Sequence, residues 1–120
     1  MNQITTPKLK ENEIYAGAII NPDGTGHHII LLDGDHEESD WKSAMDWAKE
    51  QGGDLPNRVE SALLFNQLKD RFKDECYWTN EQHASHSYYA WSQSFGYGNQ
   101  DYDGKGYEFR ARAVRRLVIQ

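Results

Sequence analysis

The sequence predicts a single α+β domain in which an N-terminal hairpin and two helices precede a loop-rich antiparallel sheet. Three observations predict it. With 120 residues the chain can bury one modest core and is too short for two. Its hydrophobic pattern changes from β-branched runs around a Pro-Asp-Gly turn to two stretches with apolar residues at helical spacing. From Tyr77 to Phe109 there is no Leu, Ile or Val, yet six of the seven tyrosines and two of the four tryptophans fall there. An aliphatic core cannot come from that half; rigid, amphipathic aromatic surface among Ser, Asn, Gln and Gly can.

Residues 1–12 are polar with a proline and read as an irregular arm. Ile14–Ile20 and His27–Leu32 are β-rich runs around Asn21-Pro22-Asp23-Gly24-Thr25-Gly26, where Pro fixes φ and Asp-Gly supplies the positive φ of a tight reversal. Asp33 to Asp40 reads as a solvated acidic linker. A helix follows. Ser39 or Asp40 caps it, Trp41, Ala44, Met45 and Ala48 form its apolar stripe, Trp47 lies on the flank to pack on a neighbouring element, and Gly52-Gly53 ends it.

Asn57 with Glu60 three residues on is a capping-box arrangement for a second helix, whose Leu64, Phe65, Leu68 and Phe72 share one face. Cys76–Thr79 and Ala90–Phe95 read as short strands separated by a polar loop, and Gly96 to Gly106 as a longer loop. Phe109 to Ile119 reads as one last strand, with Arg110, Arg112, Val114 and Arg116 on one side and Ala111, Ala113, Arg115 and Leu117 on the other.

Four blocks in order carry a family resemblance: Leu55-Pro56-Asn57-Arg58-Val59-Glu60-Ser61-Ala62-Leu63-Leu64, Tyr77-Trp78-Thr79-Asn80-Glu81, Ala90-Trp91-Ser92-Gln93-Ser94-Phe95 and Arg112-Ala113-Val114-Arg115-Arg116. They resemble the DUF1566 family, also called the Lcl C-terminal domain family, many of whose members are encoded by bacteriophages and prophages. The resemblance implies a C-type-lectin-like scaffold, also similar to sulfatase-modifying factors, in which the first and last strands pair, so that Ile14–Ile20 lies beside Ala111–Ile119. It also implies that Arg58, Glu60 and the Arg-x-Val-Arg block are architectural. This chain departs from the relatives that have known chemistry. It lacks the Glu-Pro-Asn or Gln-Pro-Asp and Trp-Asn-Asp sets that hold calcium and sugar in C-type lectins. Its single Cys76 also cannot supply the paired cysteines of the sulfatase-modifying enzymes.

Composition narrows the function classes. A formal net charge of -6 argues against binding a phosphate backbone, so no nucleic-acid partner is expected. No apolar run reaches membrane-spanning length and the N-terminus lacks the organisation of a secretory signal, so membrane insertion is not expected either. One cysteine excludes an intrachain disulfide framework and fits synthesis in the bacterial cytoplasm, with association with a virion implied by the phage-type relatives.

No cofactor or metal is expected. His83 and His86 could converge with His27-His28 on zinc, but no ligand-spaced Cys or carboxylate pair accompanies them, and solvent-exposed histidines are the preferred reading. Asn99-x-Asp101-x-Asp103-Gly104 opens like a calcium loop, yet its twelfth position is Arg110, so an ordinary Asn/Asp/Gly loop is preferred. Ser85, His86 and Asp101 do not define an oriented nucleophile, Gly96-x-Gly98 precedes no helix that could present amides to phosphate, and nothing requires catalysis. Arg110, Arg112, Arg115 and Arg116 fit an anion, but pairing within a chain of 19 acidic residues is preferred.

The sequence is therefore read as a non-enzymatic binding module of phage or prophage type. Its expected ligand-binding residues are Tyr88, Tyr89, Trp91, Gln93, Tyr97, Asn99, Tyr102 and Tyr107, and its expected partner is a host-surface protein or glycan. Two alternatives stay open: a small intracellular phage protein that docks on a bacterial enzyme, and a metal-dependent enzyme. No heptad repeat specifies an oligomeric state.

Overall fold

The computed structural model describes residues 4–119. Its first sheet begins at the expected hairpin, β1 (Ile14–Ile20) and β2 (Gly26–Leu31), antiparallel with Ile20 opposite Gly26. The turn is fastened by Asp23, whose Oδ1 accepts both the backbone N–H and the hydroxyl of Thr25, while Gly24 takes a φ of 88°. The irregular arm carries neither helix nor strand from residue 4 onward; residues 1–3 lie outside the described residues.

The acidic segment is a correction to the sequence reading, because it contains a strand, β3 (His36–Ser39). It pairs antiparallel with β7 (Phe109–Ala111) at the edge of the second sheet. An edge strand needs backbone partners on one side only and no apolar face, so its polar sequence gave no periodic signal. Helix α1 (Trp41–Glu50) starts at Asp40, whose side chain accepts from the Ser43 N–H, and buries Ala44 and Ala48. Trp47 stacks on the His36 ring with centroids 4.8 Å apart, the flank packing expected of it.

Helix α2 (Arg58–Leu68) carries the full capping box: Asn57 Oδ1 accepts the Glu60 N–H at 2.8 Å and Glu60 Oε1 accepts the Asn57 N–H at 2.7 Å. A 3-10 turn, Lys69–Arg71, ends it, so Phe72 reaches the core from beyond the helix. There Phe72 stacks on Phe95 at 3.9 Å, and Tyr77 meets both edge-on.

Strands β4 (Cys76–Gln82), β5 (Tyr89–Ser94) and β6 (Gln100–Gly104) complete the second sheet in the order β3-β7-β4-β5-β6. Strand β6 occupies five of the eleven residues expected to be loop; lacking any Leu, Ile or Val, it takes its conformation from its pairing with β5. The expected single last strand is divided as well. β7 and β8 (Val114–Val118) belong to different sheets, and Ala111, Ala113 and Val114 are all buried, which breaks a period of two where the chain crosses between sheets.

The pairing of first and last strands is also corrected. In the first sheet the order is β1-β2-β8, so β8 pairs with β2 and not with β1. Ile29, Ile30 and Leu31 of β2 expose nothing, and a strand buried on both faces takes the centre of its sheet. The result is an α+β domain with two helices, among the described residues, packed on two mainly antiparallel sheets. No helix among the described residues is long and apolar enough to cross a membrane.

Candidate functional site

The register of the β5–β6 hairpin builds an aromatic face. Trp91 lies opposite Tyr102, Gln93 opposite Gln100 and Tyr89 opposite Gly104, so alternation puts Tyr89, Trp91, Gln93, Gln100 and Tyr102 on one side. Trp91 and Tyr102 meet edge to face at 5.1 Å, and Tyr89 lies 5.6 Å from Tyr102. The β4–β5 connection folds over the same side. His83 stacks near Trp91 at 5.5 Å and meets Tyr102 at 4.5 Å, and His86 lies 5.9 Å from Tyr89.

Beside this face a cleft of about 520 Å³ opens between the N-terminus of α2 and the hairpin, lined in part by Arg58, Glu81, Gln93 and Gln100. Arg58, the first residue of α2, lays its guanidinium 3.5 Å from the centre of the Trp91 ring and donates from Nε to Gln100 Oε1 at 2.9 Å. Gln100 Nε2 in turn donates to the Arg58 carbonyl and to Gln93 Oε1. Gln93 is anchored below by donation from Nε2 to the carbonyls of Ser94 and Gly98. Glu81 Oε2 accepts the Arg58 backbone N–H at 2.7 Å, joining β4 to the first turn of the helix.

The expected site residues therefore separate. Tyr89, Trp91 and Tyr102 come together on the hairpin face, whereas Gln93, 1% exposed, is the floor of the cleft and does not belong to a displayed surface. The Ser92–Ser94 end of β5 is buried on both sides, and the Gln93 amide finds its partners inside. Tyr88, Tyr97 and Tyr107 are 83%, 94% and 62% exposed but stand apart from the cluster, Tyr107 against Phe109 and Tyr97 in the β5–β6 turn. Asn99 is exposed in the same turn, where its carbonyl accepts the Ser94 N–H. Among the described residues, the tyrosine hydroxyls that hydrogen-bond are those of Tyr15 and Tyr77.

Sequence reasoning missed Arg58, Glu81, His83 and Gln100 as members of this site. Gln93 and Gln100 stand symmetrically about Gly96-Tyr97, and that spacing about a glycine-containing turn is the signal of a paired hairpin. Arg58 carried no such signal, because its position in the helix-opening block already had a structural explanation.

Other groups are engaged elsewhere. His28 is buried and hydrogen-bonds Tyr15, and His27 Nε2 lies 2.8 Å from Glu60, so neither is the solvent-exposed histidine expected. Asp101 and Asp103 lie on the face of β6 away from Tyr102, and burial with the neighbouring Asp101 pushes the Asp103 carboxyl above its usual range. Arg110 pairs with Asp35, Arg115 with Glu13, and Arg116 with Glu60 and Asp54. Arg112 donates to the carbonyls of Arg71 and Leu32. The C-terminal arginines are thus used within the protein. No protein-family model matches the chain, and no curated protein does.

Proposed function

We propose that the protein is a non-enzymatic, phage- or prophage-type binding module on a C-type-lectin-like scaffold of the Lcl C-terminal domain kind, and that it recognises a host-surface protein or glycan. The observation that carries this reading is the ring cluster of Tyr89, Trp91 and Tyr102 on one side of β5–β6, with unbonded tyrosine hydroxyls and an adjoining cleft lined in part by Arg58. Rings with two side-chain torsions offer contact area at small entropic cost, and hydroxyls without internal partners are free to donate. The scaffold assignment draws support from two helices packed on two sheets and from a terminal strand that returns to the N-terminal sheet.

Binding of labelled protein to bacterial cells tests the reading. Tyr89→Ala combined with Tyr102→Ala is expected to abolish cell binding while the fold is retained, and binding that survives this pair would overturn it. A second reading, docking on a basic bacterial enzyme, has one observation in its favour: Glu38, Glu75 and Glu108 line a shared groove of about 260 Å³ on the second sheet. Recovery of the chain from purified virions supports the first reading, and its recovery bound to an enzyme in infected cytoplasm supports the second.

A further inference from the structure

We infer that the Arg58 cleft is a receptor for a carboxylate group, supplied by an acidic sugar or an acidic peptide residue. The inference rests on the β5–β6 face being the binding surface and names the chemistry it recognises. Arg58 differs from the chain's other arginines. The four near the C-terminus reach carboxylates or carbonyls of the protein, and Arg71 is exposed on a 3-10 turn. Arg58 is part-buried and held on two sides, by Trp91 beneath its plane and by Gln100 at Nε, yet it enters no ion pair among the described residues.

The restraint is built from neutral amides. Gln100 is fixed by Gln93, and Gln93 by backbone carbonyls in a buried position, so the guanidinium is oriented without its charge being neutralised. Nη1 and Nη2 have no acceptor among the described residues. A planar fork with two parallel free donors is complementary to a carboxylate, and fixing it beforehand removes much of the entropic cost of binding. Glu81 lines the same cleft, but its Oε2 accepts the first N–H of α2, so its charge is turned toward the positive end of that helix. The volume of about 520 Å³ admits a group the size of a monosaccharide or an amino acid with its neighbours.

NMR spectroscopy of the full chain, following the Trp91 indole N–H and the Arg58 Nε–H, tests this. The probes are glucuronate and N-acetylglutamate, each against its uncharged counterpart, glucose and N-acetylglutamine, at matched ionic strength. At least one acid is expected to shift both signals saturably, and the uncharged partners are not. Arg58→Gln is expected to abolish the response. Arg58→Lys is expected to weaken it about tenfold, because an ammonium keeps the charge and loses the fork. Gln100→Ala, which leaves the guanidinium in place and frees it, is expected to weaken it severalfold, and it tests the positioning even if Arg58→Gln disturbs the fold. Tighter binding of glucuronate identifies a glycan source, and tighter binding of N-acetylglutamate a peptide source. Absence of a saturable shift with either acid, or shifts that persist in Arg58→Gln, would overturn the inference. If the acids fail while Tyr89→Ala with Tyr102→Ala still removes cell binding, the carboxylate receptor falls and the display surface stands. If the acids bind through Arg58 while that pair leaves cell binding intact, the display surface falls alone.

Discussion

The Arg116 guanidinium holds the Glu60 carboxylate with two parallel donors, Nε to Oε2 at 2.6 Å and Nη2 to Oε1 at 2.7 Å. Glu60 has no exposed surface, and the same carboxylate caps α2 through Asn57 and lies within hydrogen-bond reach of His27 on β2. One side chain therefore fastens the second helix to both β2 and β8. Removing it leaves Arg116 part-buried and short of its main partner. Glu60→Gln is expected to lower unfolding free energy by about 3–5 kcal/mol in urea titrations. In a double-mutant cycle, Glu60→Leu with Arg116→Met is expected to cost less than the sum of the single changes.

Acid should weaken the protein through the same kind of contact. Hydrogen bonding from Arg115 pulls the Glu13 carboxyl from 4.5 down to about 2. Burial works against ionisation of Glu60, but Arg116, the Asn57 N–H and His27 together hold it below its usual value. Both carboxyls are depressed on folding, so their contribution is complete above about pH 4.5 and is lost as pH falls toward 2. Urea midpoints between pH 6 and 2 are expected to fall in that window, and Glu13→Gln to flatten the fall. Tyr77 has the opposite sign: burial and its bond to Asp35 raise it to about 12, so its contribution is lost as pH climbs from 10 toward 12.

Phe95 and Tyr97 are two residues apart and are expected to behave oppositely. Phe95, 1% exposed, sits in the stack with Phe72, and Phe95→Ala is expected to cost about 3–5 kcal/mol. Tyr97 is almost wholly exposed, and Tyr97→Ala is expected to change stability by no more than about 0.5 kcal/mol. Thermal unfolding of the two variants checks the pair.

Two glycines divide in the same way. A Cβ on Gly53 would run into the Val114 carbonyl oxygen and come within 2.8 Å of Leu32 Cδ1, where residues 53–54 approach β8. Gly53→Ala is expected to destabilise by about 2–3 kcal/mol. Gly106 faces open space, and Gly106→Ala is expected to be neutral or to stabilise by about 0.4–1 kcal/mol. Denaturation midpoints measured side by side separate the two outcomes.

Local signals along the chain suffice for the Asp23-Gly24 turn, the Asp40 cap, the Asn57–Glu60 capping box, and the strand that carries Tyr77 and Trp78 into the core. Each of these depends on residues within a few positions of one another, so composition and spacing suffice to specify them. Tertiary structure decided the polar strands β3 and β6, the break between β7 and β8, and the placing of β2 between β1 and β8. A strand without an apolar alternation acquires its conformation from the partner that satisfies its backbone, and that partner is distant in sequence. The site divides along the same line. Its tyrosines were legible as unusual composition, whereas the seating of Arg58 between Trp91 and Gln100, 33 and 42 residues away, exists only once β6 lies against β5 and α2 lies across their end.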